Sequence, residues 1–395
     1  MYTRLLKGRE IEYAKELWDY CFEKKNDPFF SFYFNNYVQT ENIIGAFDKK
    51  NFTGMTHLNP YTLCLNGREL PVSYLVGVAT APQYRGQGVM RTLLNDAFTL
   101  LRKRGQSVSL LMPIMAGIYL PHGFAYCYNK LKYYLPLNEL SSAVSVAQSC
   151  EMHHADEKQL QIFVNLYLKY TKNFNGFLIR AQKEWQNILK DILTTRDNSV
   201  GHAILAKRNG EYCGYLLYII DGNDFRIVEL VSCDVSVKNT FLQYAAGHSS
   251  QCSHLHWLAP ENDLTYLDFY LNRYQLVLQP FMMGRIIDVV GALRDLQFSA
   301  PKGLQIDFCL QDDLVKENNG VFQLAEQSGK AYLVKNQKQK AQMTMNIGTF
   351  AQLCFGAFSA VDLFTAGKIH TDNDKHVITL SKVFKRKNNY INEYF

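Results

Sequence analysis

The sequence predicts a mixed α/β (α+β) protein of three domains, and three observations lead to this prediction. The first is a strand, a glycine-bearing turn and an amphipathic helix in direct succession between Val76 and Arg104. The second is that the order of helices and strands found before residue 140 starts again after residue 155. The third is another restart near Val289. At 395 residues the chain has room for two or three domains, each with its own core.

The stretch from Val76 to Arg104 is the best-defined part of the first domain. Its β-formers at alternate positions, Val76, Val78 and Thr80, predict a strand. A turn follows, and from about Val89 apolar residues recur at helical spacing up to Gly105, a residue typical of a helix end. The apolar stripe consists of Met90, Leu93, Leu94, Ala97, Leu100 and Leu101.

A strand, a glycine turn and a helix N-terminus together predict an anion site. The first N–H groups of a helix have no partner within it, and the helix dipole adds about half a positive charge there. Gly86 and Gly88 allow positive φ and a close backbone approach, so a pyrophosphate fits such a turn. Arg85 and Arg91 are placed to add charge-assisted contacts. The sequence has neither the Gly-Lys-Ser/Thr of a Walker loop nor a GxGxxG dinucleotide fingerprint.

The rest of the first domain reads as helices and strands in alternation. The aromatic stretch 26–34 has two interpretations, as core packing or as an aromatic wall that faces a substrate. The predicted elements are, in order, a helix over 9–24, strands over 43–48 and 58–65, a hairpin turn at Asn66-Gly67, a strand over 71–80, the turn and helix described above, and strands over 108–112 and 126–137.

The second domain repeats this order without the glycine turn. Residues 138–156 are polar and rich in Ser and Ala, which predicts a linker. Between Ser232 and Asn239, where the turn would stand, there is no glycine. His254 and His256 share one side of a strand but lack a nearby third ligand, which favours a structural or surface role over a metal site. The predicted elements are helices over 157–171, 180–193 and 237–247 and strands over 201–208, 212–220, 225–232 and 254–258. An unrelated α/β domain remains the alternative.

The third domain is predicted from Val289 onward. Its expected strands are 303–309, 318–324 and 331–334, and its expected helices are 348–358, which the stretch 343–347 leads into, and 360–366.

Composition narrows the class of protein. The chain is 47% hydrophobic and 20% charged, as globular proteins are, and its net charge of +6 does not by itself imply nucleic-acid binding. It has nine cysteines, none in a CxxC pair, which is typical of a reducing compartment. The N-terminus lacks an apolar signal core and no stretch of about 20 apolar residues occurs, so we expect a cytoplasmic protein with no membrane span.

Two motifs resemble the GCN5-related N-acetyltransferases (GNATs). Gln83-x-x-Gly86-x-Gly88, after a strand ending in Val-Ala-Thr-Ala-Pro, is similar to the acyl-coenzyme A loop of that family. Ala116-Gly-Ile-Tyr-Leu-Pro-His-Gly-Phe124 is similar to its Y-x-x-x-G-F segment. Nearly the full chain resembles the enhanced intracellular survival (Eis) branch, through these motifs and through Met282-Met-Gly-Arg-Ile-Ile-Asp288, Ile347-Gly-Thr-Phe-Ala-Gln-Leu353 and Glu393-Tyr-Phe395.

The resemblance implies a specific layout and activity. It implies tandem GNAT-like domains over 1–140 and 150–288, the second without its coenzyme loop, and a sterol-carrier-protein-like domain over 289–395. Acetyl-coenzyme A is the implied co-substrate, with Tyr119 as proton donor and the terminal carboxylate of Phe395 as proton acceptor; no metal is implied. The implied coenzyme-binding residues are Val78, Ala79, Thr80, Gly86, Gln87, Gly88, Val89, Met90, Arg91, Ile114 and Met115.

The implied substrates are amines of aminoglycosides, and the implied assembly is a homohexamer. Some members of the branch carry an acidic residue just before the terminal one, where this chain has Tyr394, with Glu393 one position earlier. Acetylation of protein or peptide lysines, or of polyamines, is therefore an open alternative. Two alternatives are not enzymes. One is a lipid-binding carrier, and the other is a scaffold protein with vestigial acetyltransferase folds.

Overall fold

A computed structural model describes residues 1–143, 150–194, 199–268, 275–336 and 340–394. The chain forms two compact units. The first comprises Met1–Tyr128, Gly176–Leu178 and Phe281–Phe395, and the second comprises Asn129–Asn175 and Ile179–Pro280. The predicted first and third domains therefore belong to one unit.

Helices and strands alternate along the whole chain, as the predicted α/β class requires. The elements are β1 (Tyr2–Leu5), α1 (Ile11–Cys21), α2 (Pro28–Asn36), β2 (Ile43–Asp48), β3 (Asn51–Leu65), β4 (Arg68–Thr80), α3 (Val89–Lys103), β5 (Val108–Leu111), α4 (Ala116–Tyr119), β6 (Ala125–Pro136), α5 (Leu137–Ala143), β7 (Glu151–His154), α6 (Leu160–Thr171), β8 (Phe177–Ile179), α7 (Gln182–Leu193), β9 (Ser199–Arg208), β10 (Glu211–Asp221), β11 (Asp224–Ser232), α8 (Val235–Ala246), β12 (His254–Pro260), β13 (Gln275–Ile286), α9 (Val289–Leu296), β14 (Gln305–Gln311), β15 (Gly320–Gln327), β16 (Lys330–Asn336), β17 (Met343–Asn346), α10 (Ile347–Phe355), α11 (Ala360–Thr365), β18 (Ile369–His370) and α12 (Asp374–Val383).

The main sheet of the first unit has strands in the order β1-β2-β3-β4-β5, followed by the C-terminal part of β13 and the N-terminal part of β6. Neighbouring strands from β1 to β4 are antiparallel, and the predicted hairpin between β3 and β4 turns at Asn66 and Gly67, both at positive φ. Helix α3 packs on this sheet through its predicted stripe, of which Leu93, Leu94 and Ala97 are fully buried.

A second sheet in the same unit carries the C-terminal elements, with strand order β16-β15-β14-β17-β18. Its helix α10 is almost entirely buried. The tail after α12 also packs on the first domain, because the Asn389 side chain donates to the carbonyls of Cys127 at 2.9 Å and Phe355 at 3.0 Å. The first and C-terminal domains therefore share one core.

In the second unit the strand order is β6-β12-β11-β10-β9-β7, with only the later residues of β6 taking part. Helices α6, α7 and α8 pack on this sheet. A buried pair crosses its core, in which Arg180 binds both carboxylate oxygens of Glu229 at 2.7 and 2.9 Å. A hairpin turn at Asn209-Gly210 joins β9 to β10, with both residues at positive φ.

The predicted linker over 138–156 is wrong in its described part. Helix α5 and strand β7 lie there, and residues 144–149 are outside the described residues. Leu137 and Leu140, one helical turn apart, are fully buried and hold α5 against the second core. Helix α12, whose N-cap is Asn373, and the short strands β1, β8 and β18 were not predicted.

Candidate active site

Strands β4 and β5 diverge in the middle of the first sheet, and the gap between them is called the cleft. These parallel strands pair only at Ser73 with Ser109 and at Tyr74 with Leu110, after which they separate. Beyond this point β4 also carries a bulge, because His57 is opposite Val76 while Met55 is opposite Ala79. Gly77, at φ +59°, and Val78 therefore lie opposite the single residue Thr56 of β3. A bulge of this kind takes backbone groups of β4 out of the hydrogen-bonded ladder with β3. The cleft therefore presents backbone hydrogen-bonding groups at its edge.

Gly77 is required at the bulge for a steric reason as well. A Cβ atom there would lie 2.6 Å from Cζ3 of Trp18, which is closer than any side chain tolerates. The bulge and the buried indole ring thus fix one another.

The predicted anion turn lies directly after β4. Gly86 and Gly88 have φ values of +75° and +78°, and Gly88 is the N-cap of α3 without a side chain to satisfy the helix terminus. In the described chain, no group accepts a hydrogen bond from the backbone N–H groups of Gly86 through Arg91. A Cβ at either glycine would meet no atom within 4 Å, so the space above the turn is open. This is the geometry expected of a backbone cradle for phosphate.

The two arginines beside the turn have different partners. The Arg85 Nε donates to the Thr80 carbonyl at 3.3 Å. One Nη of Arg91 donates to the carbonyl of Asp313 in the C-terminal domain at 2.6 Å. Arg91 therefore links the predicted phosphate turn to the loop that follows β14.

Tyr119 ends the short helix α4, close to the same part of the sheet. Its ring meets the Phe124 ring edge-on at 6.0 Å, and burial raises the pKa of its hydroxyl to about 12. The phenol is therefore protonated at neutral pH and can donate a hydrogen bond. Val78, Met90 and Tyr119 all pack against one hydrophobic cluster, which brings the strand, the turn and the tyrosine together.

The predicted coenzyme-binding residues of β4 and of the loop after β5 differ in their exposure. Ala79 is buried, and Val78 and Thr80 are half-buried at the end of β4. Ile114 and Met115 are 82% and 62% exposed, which leaves two apolar side chains open at the rim. Phe395 lies outside the described residues.

A buried carboxylate lies near tyrosines of the same sheet. Glu393 is only 8% exposed, although it is two positions from the last residue of the sequence. Burial raises the pKa of Tyr61, Tyr74 and Tyr128 well above the usual tyrosine value, and the negative charge of Glu393 adds to the rise for each of them. The carboxylate thus acts electrostatically on tyrosines of β3, β4 and β6, and its negative charge would stabilise a cationic group beside it.

The aromatic stretch 26–34 forms helix α2, and its buried members are part of the core. Asp27 caps the helix and Pro28 is its first residue. Tyr33 stacks on Trp18 with ring centroids 4.5 Å apart, and its hydroxyl is 2.9 Å from Nδ1 of His57. Complete burial lowers the pKa of His57 to about 3, so this imidazole is neutral. The structure supports the core-packing interpretation for Phe30, Tyr33 and Phe34.

The corresponding position in the second unit has a different chemistry. Helix α8 begins after Asp234, whose carboxylate accepts from the Val237 N–H at 3.0 Å and pairs with Arg208. The Arg208 guanidinium lowers the pKa of Asp234 to about 2, so the carboxylate is ionised at neutral pH. A side chain of the protein itself thus occupies the helix terminus that in the first unit is left open.

Sequence models of known domains match three parts of the chain. Acetyltransferase (GNAT) domain models match residues 3–127 and 176–286, and a sterol carrier protein domain model matches residues 289–392. The chain carries two GNAT domains and a sterol carrier protein domain. These ranges lie within the predicted domains 1–140, 150–288 and 289–395, whose exact limits stay predictions. No curated protein sequence matches the chain.

Solved structures share the fold of the tandem GNAT and sterol carrier domains over the full length. A GCN5-related N-acetyltransferase from Anabaena variabilis is 19% identical, with a TM-score of 0.85 and complete coverage of both chains. A probable N-acyltransferase from Enterococcus faecalis is 19% identical, with a TM-score of 0.87 and coverage of 100% of this chain and 99% of the other. Eis1 from Mycobacterium abscessus is 14% identical, with a TM-score of 0.78 and complete coverage of both.

The GNAT domains make this chain an acetyltransferase and imply acetyl-coenzyme A as its co-substrate. The turn at Gly86–Arg91 fits that group, since its N–H groups lack acceptors and the space above its glycines is open. No helix in the described parts of the chain is long and apolar enough to cross a membrane. Within the same residues, no group of three or more His, Cys, Asp or Glu side chains is arranged to hold a metal ion.

Sequence reasoning missed the inward position of Glu393 and the buried Arg285, described below. Arg285 left a signal, because a single arginine stands within the apolar run Met282-Met-Gly-Arg-Ile-Ile287. A charge in such a run is buried and paired in most folds.

Proposed function

We propose that the protein is an acetyl-coenzyme A-dependent N-acetyltransferase that acetylates primary amines of cationic, aminoglycoside-like or polyamine-like molecules. The observation that carries the proposal is the open backbone cradle at Gly86–Arg91, directly beside the cleft between β4 and β5. The buried Glu393 supports a cationic acceptor, since its charge lies among the tyrosines of the same sheet. Protein or peptide lysines satisfy the same chemistry and are the alternative acceptors.

In this proposal the backbone of the first GNAT domain binds and orients the co-substrate. The N–H groups of Gly86 through Arg91 hold its pyrophosphate, and Val78 to Thr80, Ile114 and Met115 line its arm. When bound, the thioester supplies the acetyl group. The unpaired backbone groups of β4 polarise its carbonyl, which lowers the barrier to attack by the amine.

Proton transfer completes the reaction. As the new C–N bond forms and the C–S bond breaks, the amine loses one proton and the departing sulfur gains one. Tyr119 donates to the sulfur, and solvent restores its proton. With a pKa of about 12 the phenol is a weaker acid than a thiol, so it first stabilises the departing thiolate by a hydrogen bond, and the proton that it then gives up to the sulfur is replaced from solvent. The amine proton passes to the terminal carboxylate of Phe395, a role that rests on the family resemblance alone.

The acceptor class is tested by mass spectrometry. The protein is incubated with acetyl-coenzyme A and a panel of aminoglycosides, polyamines and lysine peptides, and we expect acetyl increments on the cationic small molecules. Increments on peptides alone would move the assignment to lysine acetylation. Calorimetry that detects no binding of acetyl- or free coenzyme A would overturn the proposal.

The roles of the two proposed proton carriers are tested separately. We expect Tyr119→Phe to lower kcat about 100-fold or more while coenzyme affinity survives. Tyr126→Phe, a second half-buried tyrosine against the same cluster, is the matched control. Residues appended after Phe395 should abolish activity whereas an N-terminal extension should not; a fully active C-terminal extension removes the carboxylate from the mechanism.

Assembly and compartment are further parts of the proposal. The resemblance supports a homohexamer, which light scattering after size-exclusion chromatography measures directly. All nine cysteines are free thiols, which supports a reducing compartment such as the cytoplasm.

A further inference from the structure

Arg285 lies fully buried in β13, within an otherwise apolar run. Its side chain is 0% exposed, and one Nη binds both carboxylate oxygens of Asp312 at 2.7 Å. A buried ion pair gains little net stability, because desolvation of both charges offsets their attraction. Its presence therefore calls for a reason beyond stability.

One of the remaining donors of Arg285 points to the turn that carries Tyr119, and the other binds the backbone of β13 itself. Its Nε donates to the carbonyl of His122 at 2.9 Å, and its other Nη donates to the carbonyl of Ile286 at 2.6 Å. The contact with the turn is close, since a Cβ on Gly123 would lie 2.8 Å from Cζ of Arg285. The guanidinium thus fixes the end of the turn three residues after Tyr119.

Asp312, the partner of Arg285, is itself immobilised in the sterol carrier domain. Its carboxylate accepts from the N–H groups of Leu314 and Val315 at 3.0 Å and from Asn318 Nδ2 at 2.9 Å. The next residue, Asp313, accepts from Arg91 of the coenzyme turn. One loop of the sterol carrier domain therefore reaches both halves of the proposed acetyl-transfer site.

We propose that Arg285, held by Asp312, is a positioning residue for Tyr119. The inference rests on the proposed role of Tyr119 as proton donor. In physical terms, a planar guanidinium with four directed hydrogen bonds orients the turn more narrowly than a lysine could. A loosened turn leaves coenzyme affinity in place but misplaces the donor.

A double-mutant cycle in the full-length chain tests the inference. We expect Arg285→Lys, which keeps the charge but not the fork, to lower kcat at least tenfold with the KM for acetyl-coenzyme A unchanged within about twofold. In the Tyr119→Phe background the same substitution should have no further effect on kcat, because the group it positions is gone. The matched control is Arg180→Lys in the other buried bidentate pair, which should leave kcat unchanged.

A second variant guards against loss of folding. The double variant Arg285→Met with Asp312→Asn removes both charges at once and leaves no buried charge unpaired, so it should fold. Its kcat should be lowered when Tyr119 is present and should be the same as that of Tyr119→Phe when Tyr119 is replaced as well. Additive losses in the cycle, or an unchanged kcat in either folded variant, overturn the inference. If Tyr119→Phe alone leaves kcat unchanged, the proposed donor role fails instead, which separates the two outcomes.

Discussion

In the proposed function Gly88 belongs to the backbone cradle that binds the coenzyme pyrophosphate, and replacing it with alanine gives a measurable prediction. Gly88 has φ +78° and ψ 10°, and a Cβ there would meet no atom within 4 Å. The cost of Gly88→Ala is therefore one of backbone conformation, roughly 1–2 kcal/mol for an L-residue in the left-handed region. In the free protein the alanine relaxes out of this region, and binding has to restore the turn. Since about 1.4 kcal/mol is a factor of ten, we expect the Kd for acetyl-coenzyme A to rise about 5- to 30-fold.

Titration calorimetry measures the effect, and the chain offers a matched control at the other end of the same helix. Gly105 has φ +74° and equally open space around its Cβ. Gly105→Ala should destabilise the fold by a similar amount in urea denaturation but leave the Kd unchanged. If Gly88→Ala binds coenzyme as tightly as the natural sequence, or if both variants weaken binding equally, the cradle is not where the phosphates bind.

Three further predictions concern other groups of the chain. Folding lowers the pKa of His57 from about 6.5 in the unfolded chain to about 3, so below about pH 6.5 the imidazole takes up a proton in the unfolded state but not in the folded state. The free energy of unfolding should therefore fall by about 2 kcal/mol between about pH 7.5 and about pH 5. Urea denaturation of His57→Gln over the same pH range should lack this part of the decrease. Glu393→Gln should raise the KM for a cationic acceptor about tenfold or more and leave the KM for acetyl-coenzyme A unchanged. If steady-state kinetics gives the variant and the natural sequence the same acceptor KM, Glu393 does not bind the cationic acceptor. Asp234→Ala should cost about 1 kcal/mol of stability through loss of an N-cap, with no change in coenzyme affinity by calorimetry.

Patterns over short stretches of the sequence predicted the features that depend on interactions between residues close together in the chain. The positive φ of Gly88 and the buried stripe of α3 follow from glycine chemistry and helical periodicity within some 30 residues. The failure at 138–156 has the same origin. Serine and alanine dominate there, and the two leucines that make α5 a packed helix, Leu137 and Leu140, are too few to give a clear periodic signal.

Features that depend on distant contacts could not be predicted from the sequence. Arg285 and Asp312 are 27 residues apart and belong to different predicted domains, so neither sequence neighbourhood indicates the other. Near the buried Glu393, the amide of Asn389 donates to the carbonyls of Cys127 and Phe355, which are 262 and 34 residues away in the sequence. Such contacts arise from tertiary packing, which short-range periodicity does not encode.

The two GNAT domains lead to a prediction of stoichiometry. Helix α3 begins at a glycine that leaves its terminal N–H groups without acceptors, whereas the N–H groups at the start of α8 face the ionised carboxylate of Asp234. A phosphate at α8 would have to displace that carboxylate, lose the pairing of Asp234 with Arg208, and approach a helix terminus with no glycine in its turn. The anion site of the first domain carries no comparable penalty. Calorimetry should therefore find one coenzyme per chain, and two equivalent sites would show that a capped helix terminus does not exclude the coenzyme.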